Sequence, residues 1–351
     1  MGYFGEGNPC LRVVNPWHRI EPAQGCPYLG CAFCIRRDRL KDLESLQELP
    51  IKVGISTRAL FNLEAEHEVF KKSGVEAYSK LQLERENDPL KEGSGFHVVK
   101  RLLSLNPQQE KPHVEVILLS RNSPDLSLRA FKSVRNLGLD IKTGSFTSGR
   151  SVAPYVSAWG IDLFLSNDVT DVQAASSGGT AAAHLVASQV KHEVDESEEV
   201  RFAFDGDAVV FSPESDEVYT THGLEAFFKH EQENAKNPMS AGPFFKFLKK
   251  LSLLRQAHMI SSGVSKVRIG IVTARNAPTH ERVIHTLRAW GTPADEAHFV
   301  GPNSKAPILQ AMRAHIFFDD QEKHVMGAAS VVPSGLVPGP HAPDNPVIPA
   351  G

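Results

Sequence analysis

The chain is poor in several features, and each scarcity closes off a class of function. No apolar run approaches the roughly 20 residues that a membrane-spanning helix needs. The N-terminus shows no basic-then-apolar signal segment, so the expectation is a cytoplasmic protein. A formal charge of −3 over 351 residues gives no basic footprint for nucleic acid. None of the histidines falls in an HExxH-type spacing, so the sequence does not call for zinc. Cysteine is confined to Cys10, Cys26, Cys31 and Cys34, which leaves the rest of the chain without any possible disulfide, as suits a reducing cytosol. The run CPYLGCAFC has a spacing that could seat zinc or an iron–sulfur cluster, but the downstream fourth cysteine of the ferredoxin pattern is missing. Residues 1–48 are therefore expected to be a poorly ordered extension with reduced thiols, a bound metal being the alternative.

What the chain does have is a series of strands that end in reactive groups. At 41% hydrophobic it can bury a large core, and its length suits two domains. RFAFDGDAVVF (201–211) is an apolar strand that delivers Asp205 and Asp207 at its carboxyl end, the end where parallel α/β sheets bind ligands. IGIVTAR (269–275) is a second strand, ending in the hydroxyl of Thr273, and NSKAPIL places Lys305 at the opening of a helix. HIFFDDQ (315–321) is a third, ending in Asp319 and Asp320. Singly these are ordinary: Asp-Gly makes turns, threonine caps helices, and lysine is a solvated charge. In this order they resemble the four motifs of the haloacid-dehalogenase-like (HAD-like) phosphohydrolases.

The residue types suit that chemistry. A phosphate monoester dianion repels an incoming carboxylate, so an attacking Asp205 needs Mg²⁺ beside it. Asp207 is the candidate to protonate the leaving alkoxide and then to activate water. Thr273 and Lys305 offer a donor hydroxyl and a fixed charge to phosphoryl oxygens. Asp205, Asp207, Asp319 and Asp320 are the candidate magnesium ligands, an all-oxygen set of the kind that ion prefers.

The chain also contains a degenerate copy of itself. GVEAYSKLQLERENDPLKEGSGF (74–96) parallels GLEAFFKHEQENAKNPMSAGPFF (223–245) at an offset of 149, and VEVILLSRN parallels VRIGIVTAR at 153. Asp205 then matches Ser56, Asp207 matches Arg58, Thr273 matches Ser120 and Lys305 matches Val152, while Asp319 and Asp320 match Ser166 and Asn167. The first copy keeps the frame and loses the chemistry. The expected fold is α/β, with two HAD-like Rossmannoid units built on parallel sheets: a non-catalytic unit over 50–190 and a catalytic one over 197–333. A helical cap insertion is expected over about 212–262, from LEAFFKHEQ and GPFFKFLKKLSLL. Its phenylalanines are expected in the core, with stacking on a substrate base as the alternative. Residues 334–351, with five prolines, are expected to form a disordered tail. Arg58, Arg121 and Arg150 fall near strand ends of the first copy. There they would form either a positive pocket for a regulatory nucleotide or pairs with acids such as Asp125 and Asp168.

SxRALF, ENDP, FDGDAV, VTAR, WG and FFDDQxxH, in this order, resemble the cytosolic class I 5′-nucleotidases over roughly residues 50–333. The resemblance implies Mg²⁺-dependent hydrolysis of nucleoside 5′-monophosphates, typified by AMP, through an aspartyl-phosphate. It also implies a nucleoside diphosphate activator in the animal members. Asp205, Asp207, Thr273, Lys305 and Asp319 carry the family's active-site positions. Three rival readings stay open: a phosphatase for another small phosphomonoester, a nucleotide-binding regulator without turnover, and a redox protein whose cysteines bind iron. Neither base preference nor oligomeric state follows from the sequence.

Overall fold

A computed structural model describes residues 11–13, 20–22, 44–108, 110–188, 190, 197–261 and 263–339. The four cysteines and the chain beyond Gly339 lie outside the described residues. Ten strands form one α/β sheet. The first half supplies β1 (Ile51–Ser56), β2 (Val114–Ser120), β3 (Thr143–Phe146), β4 (Leu163–Ser166) and β5 (Ala181–Leu185). The second supplies β6 (Val200–Phe204), β7 (Val267–Thr273), β8 (Glu296–Phe299), β9 (Ile316–Asp319) and β10 (Ser334–Leu336). These are short apolar runs, with Val53, Ile55, Phe202, Phe204, Phe317 and Phe318 all buried, as strands covered by helices on both faces must be.

The order across the sheet is β8-β7-β6-β9-β10-β5-β4-β1-β2-β3. Each half therefore has the same internal order, and the halves meet edge to edge. Neighbours within a half are parallel, whereas β10 and β5 at the seam are antiparallel. β1 and β6 begin 149 residues apart, and the other four pairs of matching strands begin 153 apart.

Between the first two strands of each half comes a long bent helical segment, α1 (Glu64–Glu84) in the first half. The remaining helices used below are α2 (Ser127–Asn136), α3 (Glu214–Glu233, the bent segment of the second half), α4 (Phe245–Ala257), α5 (His280–Trp290), α6 (Ala306–Ala311) and α7 (Glu322–Ala328). The bends in α1 and α3 are at Gly74 (φ 80°) and Gly223 (φ 81°), a left-handed backbone that only glycine adopts without strain. Among the described residues, no helix is long and apolar enough to cross a membrane.

Two sequence boundaries need correction. The segment expected to be a cap divides in two. α4 lies on the sheet, with Phe247 packed against Phe202 and Phe204 at ring distances of 5.9 and 6.4 Å, and Phe244 lies 4.9 Å from the Phe318 ring. Its apolar stripe is buried on the sheet, whereas α3 reaches the strand ends, where its Glu231 pairs with Arg275 just beyond β7. The tail also begins later than expected, because Ser334–Leu336 is β10, a central strand. Gly335 is required in it, since a Cβ would stand 2.8 Å from that of Ala183 and 3.0 Å from the Phe318 ring.

Candidate active site

β6 lies between β7 and β9, so the chain leaves it toward one neighbour and later returns on the other side. Ligands of open α/β sheets collect at such a switch point, outside the carboxyl ends of the strands. Asp205 follows β6, Thr273 ends β7, Asp319 ends β9, and all three are buried. After Asp205 the backbone turns sharply, with Ala208 at φ 56°. A non-glycine residue held there reflects local strain of the kind that clusters at functional sites. Gly206 fits this turn because a Cβ would come 3.3 Å from Thr273 Oγ1.

Lys305, at the start of α6, joins the two acids: its Nζ donates to Asp205 Oδ1 at 2.8 Å and to Asp319 Oδ2 at 2.7 Å. The other Asp319 oxygen accepts from the Gln321 N–H at 2.8 Å, and His324 Nδ1 of α7 lies 3.2 Å from Asp319 Oδ2. Burial pushes the Asp205 carboxyl well above the usual range; Lys305 opposes the shift, and the charges of Asp319 and Asp320 add to it. Burial would also raise Asp319, but His324 and Lys305 outweigh it and hold that carboxyl low. Burial disfavours the Lys305 ammonium, yet Asp205 and Asp319 keep it above its ordinary value. One ammonium thus serves two buried carboxylates, with Asp320 adding negative charge nearby, and Asp205 is the one left short of positive charge.

A divalent cation fits this arrangement. Asp205, Asp319 and His324 each offer a ligand atom, and these atoms lie within 4.8 Å of one another. The shortage of positive charge at Asp205 is what such an ion relieves. Asp320 is buried beside Asp319, and its charge reaches Asp205.

Asp207 is not part of that cluster. Arg275 grips it from both sides, Nε donating to Oδ2 at 2.8 Å and Nη2 to Oδ1 at 2.7 Å. The third nitrogen of Arg275 pairs with Glu231 of α3, and the guanidinium lies 5.5 Å over the Phe227 ring. Glu231 in turn accepts from Arg282 of α5 at 2.8 Å and from Ser215 at 2.8 Å. The four carboxylates expected to share magnesium therefore separate, Asp207 leaving for a guanidinium. Arg275, Glu231 and His324 carry no role in the sequence reading. Arg275 had a signal in VTAR, two residues past Thr273, and His324 in FFDDQxxH, whereas nothing local marks Glu231.

The family model for 5′-nucleotidases matches residues 44–344. The chain belongs to the cytosolic class I 5′-nucleotidase family. It is 34% identical over 287 residues to the Homo sapiens protein Cytosolic 5′-nucleotidase 1B, a stretch that covers 79% of this chain and 47% of that protein. The chain thus spans about half the length of the curated relative it matches. No solved structure matches it.

In the first half of this family member, Ser56, Ser120 and Ser166 end β1, β2 and β4 where the second half has Asp205, Thr273 and Asp319. The three arginines do not form a positive cluster. Arg58 donates to Glu64 at 2.8 and 3.2 Å, and Arg121 donates to Asp171 at 2.7 and 2.8 Å with Asp168 at 3.5 Å. Arg150 is exposed and stands apart from the cavity that the other two line. Opposite charges within reach bind each other more cheaply than they remain separate at a half-buried site.

Proposed function

We propose that the chain is a cytoplasmic, Mg²⁺-dependent 5′-nucleotidase that hydrolyses nucleoside 5′-monophosphates, AMP foremost, to nucleoside and phosphate. The supporting observation is that Asp205, Lys305 and Asp319 meet from three segments at the sheet's switch point, in a chain of this family. In this reading a carboxylate oxygen of Asp205 attacks phosphorus, the bond from phosphorus to the 5′-oxygen breaks, and an aspartyl-phosphate forms. Thr273 and Lys305 bind the phosphoryl oxygens and stabilise charge in transfer. Asp207 gives its proton to the leaving 5′-oxygen and later takes one from the water that hydrolyses the aspartyl-phosphate.

Asp205 and Asp319, with Asp320 beside them, would hold Mg²⁺, which would supply the positive charge that an ionised Asp205 needs to approach a dianion. His324 suits the task of orienting Asp319 rather than ligating a hard cation itself. Asp207 cannot protonate a leaving group while both its oxygens accept from Arg275. Arg275 must therefore release it, and the substrate's phosphate is the natural competitor for that guanidinium. The same reading treats the two halves as HAD-like units of one degenerate repeat, with α3 as the cap of the catalytic unit. The shared strand order and the constant sequence offsets support this.

The test is phosphate release across nucleoside monophosphates and sugar phosphates with Mg²⁺, with and without a nucleoside diphosphate at low substrate. AMP is expected to lead, and the diphosphate to raise its rate. Preference for a sugar phosphate moves the assignment to another small phosphomonoester. Release from none of them makes the chain a nucleotide-binding regulator.

A further inference from the structure

A cavity of about 440 Å³ lies in the first half at the carboxyl ends of β1, β2 and β4, beneath α1. It is the counterpart, at the same sequence offsets, of the active site in the second half. It has no means of turnover, because the attacking carboxylate, the lysine and the carboxylate pair are replaced by Ser56, Val152, Ser166 and Asn167. Its charges are also spent. Arg58 and Arg121 line it, but each already makes two hydrogen bonds to a carboxylate. A polyanion would have to break both pairs.

What remains is uncharged and unsatisfied. Ser56, Ser120 and Ser166 each accept a nearby backbone N–H, at 3.2, 3.2 and 3.0 Å, which leaves each O–H to donate. Thr57 Oγ1 and Asn167 Oδ1 are buried with no hydrogen-bond partner among the described residues, and both residues line the cavity. Buried polar atoms are nearly always partnered, so a side-chain rotation that turns Thr57 Oγ1 or Asn167 Oδ1 toward the cavity would let a ligand there supply the partner each lacks. The wall formed by α1 is aromatic: Phe70 is 42% exposed, and Tyr78 meets it edge-on at 6.0 Å. The volume is within the range of small-molecule sites.

We infer that this cavity binds an uncharged nucleoside, its base against Phe70 and Tyr78 and its hydroxyls against Thr57, Asn167 and the serines. The choice of nucleoside rests on the proposed function, whose product it is, so the first half serves as a product-sensing site. Titration calorimetry on the full chain tests this with adenosine, cytidine and uridine, and with orthophosphate and adenosine diphosphate as charged probes. A nucleoside is expected to bind in a class of site whose affinity falls at least tenfold in Phe70→Ala and in Thr57→Val. Phosphate release at saturating substrate should stay within twofold of the parent. Phe70 is exposed, so its variant is expected to fold even if Thr57→Val does not. The inference is overturned if no nucleoside binds. It is also overturned if Phe70→Ala weakens no nucleoside-binding class, or weakens only a charged probe. Failure of the proposed function has a different signature, the absence of phosphate release from every nucleotide, and the calorimetry at this cavity does not depend on turnover.

Discussion

In the first half, Arg129 of α2 donates to Glu66 and Gln82, near the two ends of α1, at 3.1 and 2.7 Å. In the second, the matching Arg282 of α5 donates to Glu231 of α3, and Ser215 at the other end of that helix donates to the same carboxylate. Glu66 matches Ser215 and Gln82 matches Glu231, so each half keeps one buried acid for its packing arginine and the acid sits at opposite ends of the bent helix. The difference lies in what else the acid reaches. At position 231 it also meets Arg275, and through it Asp207, whereas the first-half counterpart of Arg275 is Asn122, which accepts from the Tyr78 hydroxyl at 3.2 Å. Both halves fasten a helix over their strand ends, and only the second ties that fastening to a candidate catalytic residue.

The sharpest way to break this comparison is to make the same change in both halves. Asp205→Asn is expected to lower phosphate release by at least about a thousandfold, roughly 4 kcal/mol of barrier. Ser56→Asn, at the matching position, should leave the rate within about twofold of the parent at the same barrier scale. Comparable losses in both would refute the division into a working and a silent half. Metal dependence should divide in the same way. A chelator is expected to abolish release and Mg²⁺ to restore it, and Asp319→Ala should raise the Mg²⁺ concentration required while Ser166→Ala does not.

The helix fastening gives a finer test. Glu231→Gln takes the shared acid from two buried guanidiniums, leaving Arg275 with Asp207 and Arg282 with Glu214 at 3.5 Å, and is expected to cost about 1–3 kcal/mol in urea unfolding and about tenfold or more in kcat. Adding Ser215→Glu returns an acid to Arg282 in the first-half arrangement, so stability should recover while kcat stays low. Recovery of both together would show that the tie through Arg275 has no chemical role. The smallest expected effect is that of Arg121→Ala. It strips a partner from Asp171, whose side chain is 3% exposed, and should cost about 1–3 kcal/mol of stability with kcat unchanged.

How much of this is legible in the sequence depends on the reach of each interaction. β6, β7 and β9 show themselves because a strand buried on both faces is a continuous apolar run, and the acids and the hydroxyl of the site end these runs or directly follow them. The matching halves show themselves through glycines at fixed offsets, Gly74 and Gly223 among them. Three residues containing a glycine carry no such signal, which is why β10 is hidden in a proline-rich stretch. Periodicity shows that α4 has an apolar face but not which surface it meets. The pairing of Arg275 with Glu231 spans 44 residues and that of Arg121 with Asp171 spans 50, and no local spacing encodes either. The arginines of the first half therefore look like a positive pocket in sequence and are neutralised in space.

The seam between β5 and β10 has a consequence for symmetry. Gly335 faces Leu185 and Leu336 faces His184 in antiparallel register. The 153-residue offset carries Gly335 onto Ala182 and Leu185 onto Pro338, a pair in that same register, so exchanging the halves leaves the seam unchanged. A contact that maps onto itself in this way is isologous, the kind that joins two identical subunits about a two-fold axis. Severing the chain between 190 and 197 would give each half a bare, self-complementary strand edge, and the surface best matched to that edge is the same edge on a second copy. The ten-stranded sheet has the geometry of a homodimer whose two subunits share one polypeptide.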